Sequence, residues 1–214
     1  MTDAGKRFNR EWIFRKLNHV FEPGGRYAIT GSNGSGKSTL LQVIAGALAP
    51  SEGSVSYQQS PGPGSATSRA RTSEAPIPDD AVYTQVSFCA PYLELIEEMT
   101  AIEFLQFHQA FKPFSGGHTP ASILDELGLA SAAGKQIRYF SSGMKQRVKL
   151  AQAIFAQAPA LLLDEPCTNL DQAGIDQYHA LVDKYCREKL VIVSSNDPQE
   201  YGFCREILRM SDWK

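Results

Sequence analysis

The stretch Gly31-Ser-Asn-Gly-Ser-Gly-Lys-Ser38 decides the fold of this chain. Its spacing, G-x-x-x-x-G-K-S, is that of a phosphate-binding loop at the start of a helix. Glycines allow the backbone to turn tightly, so that successive N–H groups face phosphate oxygens. Lys37 adds a positive charge for the outer phosphates, and the Ser38 hydroxyl can ligate Mg²⁺. The candidate nucleotide-binding residues here are Gly31, Ser32, Asn33, Gly34, Ser35, Gly36, Lys37, Ser38 and Thr39.

The residues on both sides of the loop support this interpretation over an accidental glycine-rich turn. Arg26–Thr30 is a β-branched and aromatic run that predicts a strand. Apolar residues at helical spacing occupy residues 38–49, and Pro50 ends the predicted helix. Apolar runs at 160–163 and 190–193 predict buried parallel strands with a helix between them. This alternation predicts a doubly wound α/β fold around the phosphate loop.

The composition excludes several classes of protein. The 214 residues are 43% hydrophobic and 21% charged, with a net charge of −2, which is typical of a globular protein with no electrostatic attraction to nucleic acid. The sequence lacks an apolar run of about 18 residues and the apolar core of a signal peptide, so we expect a cytoplasmic protein. The four cysteines have no C-x-x-C spacing, which favours reduced structural thiols over a zinc site.

We predict that residues 1–214 form a single domain with two additions. Residues 58–80 are rich in Ser, Pro and Gly, and this composition predicts a flexible surface insert. Its two arginines, Arg69 and Arg71, could form a binding patch, although a solvated loop is the favoured reading. A helical subdomain is expected at about 92–140. The sequence also predicts strands within residues 8–22 and 81–89.

A second motif supplies carboxylates. Leu161-Leu-Leu-Asp-Glu-Pro166 is an apolar strand that ends in two acids. Asp164 can hold Mg²⁺ directly or through water, and Glu165 is placed to polarise an attacking water. The alternative is an ordinary turn at the end of a strand. The pairing with the phosphate loop favours the nucleotide site.

A third motif indicates the family. Phe140-Ser-Ser-Gly-Met-Lys-Gln-Arg147 resembles the signature of ATP-binding cassette (ABC) proteins, L-S-G-G-Q followed by x-Q-R. Ser141 and Gly143 match, whereas Ser142 stands in place of the first glycine, and the leucine and glutamine are also replaced. A serine-capped helix start is the compatible alternative. With all three motifs in the family's order and spacing, the chain is identified as a member of the ABC family.

The resemblance implies a P-loop NTPase fold, the ABC-type nucleotide-binding domain, with an antiparallel β subdomain and an inserted helical subdomain. It implies an ATPase subunit at the inner face of the cell membrane that powers transport through a transmembrane permease subunit. Two copies would bind ATP and Mg²⁺ head to tail, with Ser141, Ser142 and Gly143 of one copy on the γ-phosphate held by Lys37 of the other. Phe8 would stack on adenine, although a buried strand aromatic is an equal alternative.

The resemblance also marks two departures from the family pattern. Pro91 stands where the family has a glutamine that reaches Mg²⁺, and Asn196 stands where it has a histidine that contacts the γ-phosphate. An asparagine amide can donate a hydrogen bond but cannot carry a charge or shuttle a proton. We therefore expect Glu165 and Asn196 to be the catalytic residues of an ATPase with slow turnover. A regulatory subunit without hydrolysis and a non-transport ABC protein are the alternatives.

Overall fold

The computed structural model describes residues 1–58 and 76–214, which form two sheets with helices packed around them. The strands are β1 (Thr2–Phe8), β2 (Glu11–Leu17), β3 (Arg26–Thr30), β4 (Glu52–Ser54), β5 (Val86–Cys89), β6 (Ala160–Asp164), β7 (Leu190–Ser194) and β8 (Glu206–Arg209). The helices are α1 (Lys37–Ile44), α2 (Val82–Gln85), α3 (Ala101–Phe111), α4 (Pro120–Glu126), α5 (Ser142–Phe155), α6 (Gln172–Tyr185) and α7 (Pro198–Tyr201). Mixed α/β structure with one antiparallel and one parallel sheet confirms the predicted fold class.

The five-stranded parallel sheet brings the motifs together. Its order is β5-β6-β7-β3-β8, so the strand that leads into the phosphate loop lies beside β7, and β7 lies beside β6. In this register Ser194 of β7 is opposite both Ile29 of β3 and Asp164 of β6. Because the carboxyl ends of parallel strands meet at one edge, the loop after β3 and the acids after β6 share that edge.

The three-stranded antiparallel sheet, β2-β1-β4, covers the phosphate-loop side of the molecule. Phe14 and Leu17 of β2 are fully buried in one core cluster with Ile29 of β3 and Leu41 of α1. A second cluster joins α3, α4, α5 and α6 to the other face of the parallel sheet. Each large apolar side chain in these clusters stabilises the fold by about 1.5–3 kcal/mol.

Side-chain caps define the starts of the long helices. Thr100 and Glu103 form a reciprocal capping box at α3, and Ser141 and Asp171 cap α5 and α6 through their side chains. Each such cap satisfies a backbone N–H that has no partner within the helix and is worth about 1 kcal/mol. The helix predicted between the apolar runs 160–163 and 190–193 is confirmed as α6, and the serine-capped helix start in the third motif is confirmed as the start of α5.

One strand prediction is wrong in its first half. Residues 82–85 form the short helix α2, and β5 begins only at Val86, so Gln85 is helical. Val82 is 1% exposed, whereas Tyr83 is 68% exposed, and the Thr84 hydroxyl donates to the Ala81 carbonyl at 2.7 Å. Tertiary burial of Val82 and this local hydrogen bond override the strand preference of Val, Tyr and Thr.

The insert predicted at 58–80 lies mostly outside the described residues, since 59–75, with Arg69 and Arg71, are not among them. Its two ends meet: Gln58 pairs with Pro76, and the Ile77 N–H donates to the Tyr57 carbonyl at 2.9 Å. Among residues 1–58 and 76–214, no helix combines the length and the apolar character needed to cross a membrane. The single domain and the boundaries 92–140 stay predictions.

Candidate nucleotide site

The phosphate loop connects β3 to α1, and β2 packs directly against it. Gly36 has a φ of 101°, a left-handed conformation that favours glycine. A Cβ on Gly36 would lie 2.1 Å from Cγ2 of Ile13 in β2. Glycine is therefore required at this position both by the backbone turn and by the close approach of the antiparallel sheet.

Lys37 lies across the loop that it terminates. The side chain is 5% exposed, and Nζ donates to the carbonyl of Gly31 at 2.8 Å and to that of Ser32 at 3.4 Å. Lys37 begins α1, so its ammonium group lies at the positive end of the helix, where N–H groups lack helical partners.

The other residues of the phosphate loop differ in how exposed they are to solvent. Ser32, Asn33 and Gly34 are exposed, Ser35 is buried, and Gly31, Gly36, Ser38 and Thr39 are half-buried.

Asp164 and Glu165 end β6 in different environments. Asp164 is 2% exposed, and its Oδ1 is buried without a hydrogen-bond partner among the described residues. Such an oxygen is costly to bury unless a ligand satisfies it. Glu165 is exposed with a φ of 43°, and its N–H donates to the Ser194 carbonyl at 2.9 Å. The positive φ of a non-glycine residue is a strained conformation of the kind found at functional sites.

Asn196 links the end of β7 to the phosphate loop. Its Oδ1 accepts from the Gly31 N–H at 3.0 Å, and its Nδ2 donates to Oδ1 of Asn33 at 3.2 Å. The Gly31 N–H therefore determines the orientation of the Asn196 amide: the amide oxygen faces Gly31, and the NH₂ group faces the Asn33 side chain. An amide NH₂ has two donors, and Asn33 takes one of them.

The segment Ser141 to Gly143 lies at the start of α5. The Ser141 hydroxyl accepts from the Met144 N–H at 3.2 Å, and both serines are exposed. A Cβ on Gly143 would lie 3.1 Å from the carbonyl of Asn169, so this helix start packs on the turn that follows β6. No hydrogen bond among the described residues joins this segment to the phosphate loop. Among the described residues, the Ser141 hydroxyl bonds within its own helix and Gly143 approaches the turn after β6.

Phe8 occupies the end of β1. Its ring is 47% exposed, and Nζ of Lys6 lies 5.4 Å from the ring centroid. The alternative of a buried strand aromatic is therefore wrong. Phe8 belongs to the same hairpin as Ile13, which contacts the phosphate loop, so the exposed ring lies on an element that borders this loop.

The segment after β5 makes contacts that sequence reasoning missed. The Pro91 carbonyl accepts from Nζ of Lys149 at 2.9 Å, and the Tyr92 hydroxyl accepts from Nε2 of Gln42 at 2.9 Å. Gln42 lies one helical turn after Ser38, and this i, i+4 spacing is the signal that could have identified it. Leu95, by contrast, is 7% exposed and packs in the core.

Burial shifts the pKa of two nearby thiols and of one histidine in the direction that favours the neutral form. It raises the pKa of Cys89 and of Cys167 to about 12, so both remain neutral thiols at physiological pH. Burial lowers the pKa of His108, whose ring stacks on the ring of Phe114 with the two ring centroids 5.8 Å apart. Both cysteines are buried free thiols, in agreement with the reduced structural thiols that the cysteine spacing favours.

Comparisons with known proteins agree with the geometry. The family model for ABC transporters matches residues 14–168. The ABC transporter ATP-binding protein YybJ of Bacillus subtilis is 27% identical over 208 residues, covering 96% of this chain and 89% of that protein. The cytochrome c biogenesis ATP-binding export protein CcmA of Nitrosococcus oceani is 30% identical over 182 residues, covering 85% and 77%.

A solved structure shows the same fold. The ATP-binding cassette MJ0796, determined as a dimer in a post-hydrolysis state bound to ADP and Pi, superposes with a TM-score of 0.77 at 22% identity, covering 97% of this chain and 92% of that one. The family match spans well over half of the sequence and includes the phosphate loop, both acids and the signature segment. The chain therefore belongs to the ABC transporter family and is an ATP-binding, ATP-hydrolysing subunit of the kind that powers a membrane transporter.

Proposed function

We propose that this chain hydrolyses MgATP with Glu165 and Asn196 to drive a separate transmembrane permease subunit. One observation carries the proposal: the ends of three neighbouring strands gather, at one edge of the sheet, the phosphate loop, a buried carboxylate oxygen without a partner among the described residues, and an oriented amide. Positive charge, a cation ligand and a hydrogen-bond donor are what a transferring phosphoryl group requires. The hydrogen bond between Gly31 and Asn196 holds the amide beside the phosphate loop.

Phosphate binding falls to the loop and α1. The ammonium of Lys37 neutralises the outer phosphates, and the N–H groups from Gly34 to Thr39 donate to their oxygens. Ser38 and Asp164 would hold Mg²⁺, since a hydroxyl and an unpartnered carboxylate oxygen are the ligands this cation prefers. When bound, the cation supplies charge neutralisation for the β- and γ-phosphates.

Catalysis falls to the two exposed residues at the ends of β6 and β7. The carboxylate of Glu165 accepts a hydrogen bond from the attacking water and orients it towards the γ-phosphate. The Asn196 amide donates its second N–H to a γ-phosphate oxygen while Gly31 and Asn33 keep it in place. One positioned donor of this kind is worth about 10²–10³ in rate. A neutral donor cannot accept the proton that a histidine could, which supports slow turnover.

The signature segment completes the site of a second copy. Ser141, Ser142 and Gly143 are accessible at the N-terminus of α5, where an anion is favoured by the helix dipole. The described residues show no hydrogen bond between this segment and the phosphate loop of the same chain, which supports a head-to-tail homodimer with two ATP molecules at its interface. The dimeric state of MJ0796 is a precedent for such a pair.

The permease contacts the surface formed by Tyr92 and Leu93. Tyr92 is 50% exposed, and both residues line a cavity of about 490 Å³ that Gln42, Tyr83 and Phe88 also border. Exposed aromatic and apolar side chains around a concave surface are typical of a docking site. We infer that this contact holds the chain at the cytoplasmic face of the cell membrane. The names of relatives such as CcmA support an export direction.

Glu165→Gln tests the proposal. The variant keeps the shape of the side chain and removes its charge, so we expect unchanged ATP binding and at least a 100-fold loss of phosphate release. Glu188→Gln is the matched control, because Glu188 is exposed and lies outside this edge of the sheet. Size-exclusion chromatography with MgATP measures the dimer, which we expect the first variant to accumulate.

Two outcomes would count against the proposed roles. Turnover in Glu165→Gln equal to that of the unsubstituted protein would remove Glu165 from catalysis. The unsubstituted protein should also be assayed together with its permease. If it binds ATP tightly but hydrolyses it no faster than Glu165→Gln does, the regulatory alternative would be supported.

A further inference from the structure

Glu200 is a buried acid close to the site. It lies in α7 and is 5% exposed. Its Oε1 accepts from the Cys167 N–H at 2.7 Å, and Oε2 has no hydrogen-bond partner among the described residues. Burial raises the pKa of this carboxyl, the Ser195 side chain and the Cys167 N–H oppose this rise, and the nearby charges of Asp197 and Glu165 add to it. Because burying a carboxyl group costs free energy, we expect this side chain to have a specific structural or functional role.

The hydrogen-bond partner of Glu200 belongs to the turn that carries Glu165. The Glu165 carbonyl accepts from the N–H and the hydroxyl of Thr168, at 3.2 and 2.9 Å. The Glu165 N–H donates to Ser194. The Cys167 N–H lies in the same turn, and its hydrogen-bond acceptor is the Glu200 carboxyl of α7. The strained backbone of Glu165 is thus held from β7 on one side and by the Glu200 carboxyl on the other.

The other end of the contact fixes the segment after β7. The helix α7 begins two residues after Asn196, and the Glu200 N–H donates to the Asp197 carbonyl at 2.9 Å. The Glu200 carbonyl accepts from the buried hydroxyl of Tyr178 at 2.9 Å, which anchors α7 to α6. Any shift of α7 would therefore move both Asn196 and the carboxyl that holds the Glu165 turn.

We propose that Glu200 is a positioning residue that fixes the Glu165 turn relative to Asn196 by joining Cys167 to α7. This inference rests on the proposed roles of Glu165 and Asn196. The water-orienting carboxylate and the phosphate donor must keep a set separation, and a displacement of about 1 Å can cost about 100-fold in rate. The side chain acts through the acceptor oxygen that Cys167 uses, so an amide at this position retains the function.

The test compares Glu200→Ala and Glu200→Gln in steady-state ATP hydrolysis. We expect Glu200→Ala to lower kcat about 10- to 100-fold, with KM and the Kd for ATP within about threefold, because phosphate binding belongs to the loop and α1. Glu200→Gln should retain at least about a third of kcat. If Glu200→Ala does not fold, Glu200→Leu, which fills the same volume without an acceptor, is assayed in its place.

A matched control separates positioning from stability. Lys189 is buried at the opposite end of β7, and its Nζ donates to the carbonyls of Ile154 and Ala156, both at 2.7 Å. Lys189→Met should lower the melting temperature as Glu200→Ala does, yet keep kcat within about twofold at a temperature where both variants are folded. Loss of kcat in both, or equal loss in Glu200→Gln and Glu200→Ala, would overturn the proposal.

A double variant distinguishes failure of this inference from failure of the proposed function. In single-turnover measurements, adding Glu200→Ala to Glu165→Gln should cost less than about twofold more, since Glu200 acts through the Glu165 turn. If Glu165→Gln alone leaves turnover intact, the proposed function fails. If Glu165→Gln abolishes turnover and Glu200→Ala leaves it unchanged, only the positioning role fails.

Discussion

Removal of the Lys37 ammonium should abolish tight ATP binding while leaving the protein folded. Lys37 is 5% exposed, so water screens its charge weakly. At an effective dielectric constant of about 20, two unit charges about 4 Å apart attract by about 4 kcal/mol. Allowing for water that enters the vacated space, we expect Lys37→Ala to weaken the Kd about 10²- to 10³-fold, which corresponds to about 2.7–4.1 kcal/mol.

Thermal unfolding with MgATP converts this loss into a shift of melting temperature. At 100 times its Kd, a ligand stabilises the folded state by about 2.7 kcal/mol. With an unfolding entropy of about 2.1 cal/mol/K per residue, a chain of 214 residues has about 0.45 kcal/mol/K, so the melting temperature should rise by about 6 °C. At the same ATP concentration, Lys37→Ala should rise by less than about 1 °C.

The nucleotide-free protein should tolerate this change. The variant loses the hydrogen bonds from Nζ to Gly31 and Ser32, but these carbonyls border an open loop and can bind water instead. We expect a decrease of about 1 kcal/mol in the free energy of unfolding. Lys135→Ala, which removes a charge from an exposed position, is the matched control and should show the full shift. A full shift in Lys37→Ala would refute the assignment of Lys37 to the phosphates.

Three further outcomes are expected. Asn196→His should leave or raise the rate of phosphate release, because it restores the contact the family uses; a collapse of activity would show that the bonds to Gly31 and Asn33 have a role of their own. Replacing 59–75 by a short glycine-containing turn should shift the melting temperature by less than about 2 °C, and loss of soluble, ATP-binding protein would contradict a dispensable insert. Tyr92→Glu and Leu93→Glu should abolish co-purification with the permease while sparing ATP binding. Tyr139→Glu is the control, because Tyr139 is also exposed, at 63%. Normal co-purification of the Tyr92 and Leu93 variants would exclude this surface as the permease contact.

Short stretches of sequence were sufficient to predict the elements that depend only on interactions between neighbouring residues. The phosphate loop, the strand that ends in Asp164 and Glu165, and the serine-capped start of α5 each follow from spacing within fewer than ten residues. Such motifs predict their own backbone because glycine, cap and dipole effects act between near neighbours. The parallel direction of the strands, though not their order in the sheet, followed from the alternation of strands and helices.

Contacts between distant segments could not be predicted in this way. The short helix Val82–Gln85 replaced half of a predicted strand because burial of Val82 depends on packing against residues far along the chain. The bond between Gly31 and Asn196 joins residues 165 positions apart. Its existence depends on β3 and β7 being neighbours in register, which single-strand patterns do not encode.

The sequence by itself determined the family and its class of chemistry, because it carries a phosphate loop, a strand that ends in two acids and a signature segment in a fixed order, and it predicted the cation-binding and water-orienting roles of those acids. Only the tertiary structure decided how those groups are held. Glu200 reads as an ordinary acid in a short helix, and its burial against Cys167 arises only when α7 packs on α6 and on the turn after β6. Hydrogen bonds of buried polar groups depend on which segments exclude water together, and that is a property of the whole fold.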